Sequence, residues 1–179
     1  MMIQQKVMKM IMKNMVGRYT MKKIFLSLIL SCFVALSYAA LPSVQLKNID
    51  GKTVDTAQID SSETPVVISF WATWCKPCIR ELNAIHEIYD DIQEETGAKV
   101  IAISIDEAQN VQKVKPLINR MNWDYEVLLD ENSEFKRAMG VSDPPHAFII
   151  YKGEIVWNHQ GYVDGGEEEI LEILKNIEK

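Results

Sequence analysis

The spacing of apolar residues changes several times along the chain, and each change marks an element. Val66-Val67-Ile68-Ser69-Phe70 is a continuous run of β-formers without alternation. Such a run predicts a central strand covered on both faces. Beyond Cys75 and Cys78 the period becomes helical. Ile79, Leu82, Ile85, Tyr89 and Ile92 fall at three- or four-residue steps, which predicts a helix over 79–96 closed by Gly97. Residues 99–105 form a second buried strand. Val111, Val114, Ile118 and Met121 place a helix over 110–122, with Pro116 predicting a kink or an early break. A third strand covers 125–129, and Ser133 is placed to cap a short helix through Met139, stopped by Gly140.

The two ends of this alternating region look different from its middle. Upstream, Val44, Leu46, Ile49, Val54 and Ile59 surround the turn dipeptide Asp50-Gly51, which predicts a β-hairpin. Downstream, Ala147 to Tyr151 and Ile155 to Asn158 flank Lys152-Gly153 as a second antiparallel pair. A last helix opens at Gly165-Gly166 and packs through Ile170, Leu171, Leu174 and Ile177. Strands alternating with helices, then a terminal hairpin and helix, predict an α/β/α sandwich around a mixed sheet.

The first 39 residues follow another pattern. Met21-Lys22-Lys23 is basic, Ile24 to Leu36 is almost wholly apolar, and Ser37-Tyr38-Ala39 offers small residues for cleavage after Ala39. This is the pattern of a secretory signal peptide, and the apolar run is short for a membrane span. The expected division is an upstream extension and signal over 1–39, with the true start at Met21, and one domain over 40–179. Seven of the nine methionines lie between Met1 and Met21. An upstream start explains them better than a methionine-rich copper site. Ile29-Leu30-Ser31-Cys32 is a competing lipoprotein-type signal, anchoring through Cys32. Leu30 fits that pattern poorly.

Removing residues 1–39 changes the charge. That segment holds six basic residues and no acidic ones, so residues 40–179 carry 13 basic against 25 acidic, a net of −12. Such a balance argues against nucleic acid as a partner. It fits an exported, periplasmic protein, expected to be a monomer. Cys32 leaves with the signal, and Cys75 and Cys78 remain as the only thiols. A cysteine pair in an oxidising compartment spends at least part of its time as a disulfide.

These two cysteines stand where a buried strand turns into a helix. Spaced i and i+3, their sulfurs can meet across the first helical turn. A thiol there lies at the positive end of the helix dipole, which favours the thiolate. A dithiol works by attack of one thiolate on a disulfide and resolution by the second thiol. The exposed sulfur must attack, which assigns attack to Cys75 and resolution to Cys78. A structural staple closing so short a loop contributes only about 2 kcal/mol. A zinc site needs two further ligands, and only His86, His146 and His159 are on offer. Covalent haem attachment needs His after the second cysteine, where Ile79 stands. No metal or cofactor beyond the cysteine pair is expected.

The stretch Phe70-Trp71-Ala72-Thr73-Trp74-Cys75-Lys76-Pro77-Cys78-Ile79-Arg80-Glu81 resembles the active-site segment of the TlpA/ResA-like thioredoxins, exported bacterial thiol–disulfide oxidoreductases. Val141-Ser142-Asp143-Pro144-Pro145-His146-Ala147-Phe148 resembles that family's cis-proline turn. The resemblance implies a thioredoxin-like fold and a cis bond at Pro145. It also implies a substrate groove built from Trp74, Lys76, Pro77, Pro144, Pro145 and His146. Glu81 matches an acidic residue that relays protons to the resolving thiol; as a plain helix residue it would be a first-turn glutamate favoured by the dipole. The resemblance further implies partners: disulfide-bearing exported proteins, often apocytochromes in cytochrome c maturation, and a membrane or periplasmic electron donor. An oxidase or isomerase on the same fold, an inert binding module and a thiol peroxidase are the alternatives.

Three positions depart from the family pattern. Asn83 stands where proline is common, and His146 where threonine follows the cis-proline. A protonated histidine beside the sulfurs would favour a thiolate. Pro144 lacks the N–H that pairs with a bound substrate strand, which implies an altered peptide preference.

Overall fold

The structure is a computed structural model that describes residues 41–61 and 63–177. The signal segment, Met21, Cys32 and the methionine-rich stretch lie outside the described residues. The order is β1 (Gln45–Asn48), β2 (Thr53–Asp55), a 3-10 turn, β3 (Val66–Trp71), α1 (Lys76–Glu87), α2 (Tyr89–Thr96) and β4 (Lys99–Ser104). There follow a second 3-10 turn, α3 (Val114–Met121), β5 (Glu126–Leu129), α4 (Glu134–Ala138), β6 (His146–Tyr151), β7 (Glu154–Gln160) and α5 (Gly166–Ile177). The strands form one seven-stranded sheet in the order β2-β1-β5-β4-β3-β6-β7. β3, β4 and β5 run parallel, while β6 and β7 on one side and β1 and β2 on the other are antiparallel.

Burial explains this order. All six residues of β3 are buried, as the unbroken apolar run requires of a central strand. β7 is the outer strand, and only Trp157 in it is half-buried; the rest is exposed. The leading hairpin turns at Asn48, whose side-chain oxygen accepts the backbone N–H of Asp50 and Lys52, with Gly51 at φ 83°. β1 then pairs with β5, so the hairpin extends the sheet.

Alternation along β3 separates two faces. Ser69 meets Glu81 of α1, and α1 packs on α5. Phe70, on the other face, packs its ring on Phe135 of α4 at 5.4 Å and on Phe148 of β6 at 6.0 Å. The sheet is therefore covered by helices on both sides.

Three local expectations are corrected. The helix expected over 79–96 begins at Lys76 and is two helices, broken at Ile88 (φ −108°, ψ 12°). Asp90 and Asp91 then occupy the first turn of α2, where carboxylates meet the positive end of a helix. Pro116 does not break α3. It is the third residue of that helix, where its missing N–H has no intrahelical acceptor to lose. Ser133 does not cap α4; it lies at φ 53° with no side-chain bond. Asp130 takes that role, its buried carboxylate accepting the N–H groups of Glu134, Phe135 and Lys136.

Candidate functional site

Strand β3 delivers Ala72 to Cys75 to the top of the sheet, and α1 starts at the next residue. Cys75 is the N-cap of α1, and Pro77 lies in the first turn, where a missing N–H costs nothing. The Cys78 N–H donates to Cys75 Sγ at 3.3 Å. The two sulfurs are joined at 2.01 Å, with the Cα atoms 5.3 Å apart. Cys75 is less open than the sequence implies, at 4% exposed, and Cys78 is fully shielded. Only the order of the two sulfurs matches expectation. The exposed group is the neighbouring Trp74, at 61%. Lys76 is exposed and Pro77 half-buried.

The Pro144–Pro145 peptide bond is cis. Phe70 pairs with His146, so the proline turn lies at the end of β3 from which the cysteine segment emerges. Pro145 is buried, and its carbonyl accepts the Gly161 N–H at 2.8 Å. His146 stacks on Phe148, ring centroids 4.4 Å apart at 11°. Burial, reinforced by His159, holds its imidazole below the ordinary histidine range. Neither ring nitrogen has a hydrogen-bond partner among the described residues. That favours a neutral ring rather than a cation at neutral pH.

Glu81 and His146 lie on opposite faces of the sheet. His146 shares the face of Phe70, whereas Glu81 joins Ser69 on the other. Glu81 is not in the first turn of α1 but in the second, and it is 4% exposed. Its Oε1 accepts the Ser69 hydroxyl at 3.1 Å, while Oε2 has no partner among the described residues. Burial raises its carboxyl from 4.5 to about 7, against the opposing pull of the Ser69 bond. The carboxylate lines a cavity of about 20 Å³, together with Ala147, Trp157, His159, Tyr162 and Ile170. Glu81 lies three positions beyond Cys78, which puts both on one side of α1.

Several site-forming residues escape a sequence reading. Asp106, fully buried just past β4, accepts the Thr73 N–H at 2.8 Å, the Thr73 hydroxyl at 2.6 Å and the Ser104 hydroxyl at 3.0 Å. It fixes the loop that carries Trp74 and Cys75. Asn83 accepts the Trp123 indole N–H at 2.9 Å, and Trp123 packs edge-on against Trp71 at 5.2 Å. That bond gives the departure at Asn83 a structural reason. The one available signal was Ser69, a lone polar residue inside an apolar strand. His86 is a boundary residue lying edge-on to Tyr125. Among the described residues, no three His, Cys, Asp or Glu side chains gather as a metal site.

A cystine at the start of a helix, a cis-proline turn at the same end of a mixed sheet and parallel strands at its centre occur together in thioredoxin-fold proteins, and this chain has that fold. It belongs to the AhpC/TSA family, which matches residues 39–164. The chain is 32% identical over 113 residues to a thiol-disulfide oxidoreductase ResA of Bacillus thuringiensis subsp. konkukian. That match covers 63% of this chain and 62% of the relative, less than two thirds of its length. A thioredoxin-like protein from Porphyromonas gingivalis, solved in solution, is 56% identical with a TM-score of 0.69, covering 78% of this chain and 92% of that one. StoA from Bacillus subtilis shares the fold at 24% identity and a TM-score of 0.61, over 75% of this chain and 97% of that one.

Proposed function

We propose that the protein is an exported thiol–disulfide oxidoreductase that reduces disulfides of exported proteins through Cys75 and Cys78. The carrying observation is the cystine capping α1, with Cys75 at the edge of burial and Cys78 wholly inside. In the reduced enzyme, the Cys75 thiolate attacks one sulfur of a substrate disulfide. A Cys75–substrate disulfide forms and one substrate thiolate leaves, taking up a proton. Cys78 then loses its proton and attacks Cys75 Sγ, which expels the second substrate thiol and closes the Cys75–Cys78 bond. Two electrons pass to the substrate, and a separate dithiol donor, at the membrane or in the periplasm, must return them.

Glu81 suits the second step. A carboxyl held near 7 both accepts and releases a proton at working pH. Its charge one turn beyond Cys78 disfavours the Cys78 thiolate. A less stabilised dithiol is a stronger reductant, as is one whose disulfide is buried. Both supports favour reduction over oxidation or isomerisation. No cofactor beyond the cysteine pair is required. Trp74, Lys76, Pro77, Pro144, Pro145 and His146 form the groove rim, and Pro144→Thr restores an N–H that changes peptide preference. Export and cleavage after Ala39 are part of the proposal, and the mass of the mature chain tests them.

Insulin reduction with dithiothreitol tests the activity. Wild type accelerates precipitation, Cys75→Ser does not, and Cys78→Ser accumulates a mixed disulfide. Equal behaviour of wild type and Cys75→Ser on insulin and on other disulfides makes the cystine inert and overturns the proposal.

A further inference from the structure

An open groove of about 660 Å³ begins at Trp74 and runs along α3. Pro116, Leu117 and the Trp74 indole make its apolar part, while Lys113 and Arg120 stand at its polar rim. No residue lining it is acidic. That is unusual in a domain whose 40–179 segment carries 25 acidic and 13 basic residues. The ion pairs among the described residues are Arg80–Asp164, Lys115–Asp50 and Lys175–Glu95, so neither rim cation is neutralised by a carboxylate there. Lys113 instead donates to the neutral Asn110 side chain at 2.7 Å. Asp106 is the carboxylate bonded to the groove wall, and it is fully buried and turned onto Thr73 and Ser104.

We propose that this groove selects the substrate: it takes an acidic peptide segment next to the target disulfide, with an apolar side chain laid on Trp74. The proposal rests on the redox reading above, because Cys75 must reach the substrate sulfur. Trp74 precedes Cys75, about 3.8 Å away Cα to Cα, so residues flanking a sulfur docked on Cys75 fall beside the groove. An acidic partner meets repulsion over most of this surface and attraction here. Such local complementarity sets orientation and association rate more than tightness. It also orders the substrates: basic segments are disfavoured in the groove that adjoins Trp74.

Two disulfide peptides, identical except for two Asp or two Lys beside the cysteine, separate the outcomes. The reduced protein should reduce the Asp peptide about tenfold faster at low salt, with the ratio shrinking as salt rises. In Lys113→Glu/Arg120→Glu the ratio should fall below one; both positions are exposed, and a circular-dichroism melt checks the fold. An unchanged ratio in the double variant overturns the proposal. A neutral disulfide, 2-hydroxyethyl disulfide, distinguishes failure of the redox reading: if wild type leaves it intact, the groove is read by NMR with the cysteine-free Asp peptide on the oxidised protein. Shifts at Trp74, Lys113 and Arg120 then uphold the groove, and their absence overturns it. Binding of anionic lipid vesicles without any peptide preference also overturns it, in favour of a membrane surface.

Discussion

Helices α1 and α5 are each 12 residues long and pack against one another, yet they begin in opposite ways. The positive end of α5 meets Glu167, Glu168 and Glu169 in its first turn. α2 opens with Asp90 and Asp91, and α4 with Glu134 and the Asp130 carboxylate. α1 has no acid in its first turn, and its partner is sulfur. Carboxylates crowd the starts of α2, α4 and α5; α1 and α3 have none in their first turns, and at α1 the place is taken by Cys75. A carboxylate there would satisfy the helix end but repel a thiolate. The difference separates a helix start built for stability from one held open for chemistry.

Cys75→Ser breaks the comparison most completely. The hydroxyl still accepts at the N-cap, so α1 stays folded, but disulfide reduction should vanish in a stopped-flow assay. Retained turnover would move the chemistry elsewhere.

Glu81→Gln comes next. Below pH 4.5 the folded and unfolded carboxyls are both protonated. Between 4.5 and about 7 the unfolded chain releases the proton while the buried carboxyl keeps it. Stability therefore falls with rising pH across this window, by about 3 kcal/mol in all, and is level for this group above it. Urea midpoints measured from pH 4 to 8 should show that slope in wild type and lose it in Glu81→Gln. An identical slope in both would remove the burial argument.

Lys76→Glu makes the start of α1 resemble that of α5. Carboxymethylation of reduced Cys75 at pH 7 should slow roughly two- to fivefold. The mirror change, Glu168→Gln, should cost α5 only roughly 0.3–1 kcal/mol, read from the denaturation midpoint, with reduction unaltered.

What the sequence disclosed tracks the range of the forces involved. The β3 run, the hairpins and the Cys75–Cys78 junction depend on neighbours in the chain, and spacing alone revealed them. The cis-proline turn came from a local string resembling a known one. Three features depend on distant residues and stayed hidden. Glu81 is offered by resemblance as a proton relay, or else as a first-turn glutamate, and its burial stays hidden because it arises only when α1 lies on Ser69 of β3. Asp106 and Thr73 are 33 residues apart, and nothing in their local sequence joins them. His146 follows the cis-proline in sequence, but strand alternation turns it to the face away from Glu81.

The reduction potential of the Cys75–Cys78 pair tests the central claim most directly. Equilibration with glutathione or thioredoxin buffers should give a value near that of thioredoxin, about −270 mV. A value as high as about −120 mV would mark a disulfide-forming oxidant and contradict the assignment.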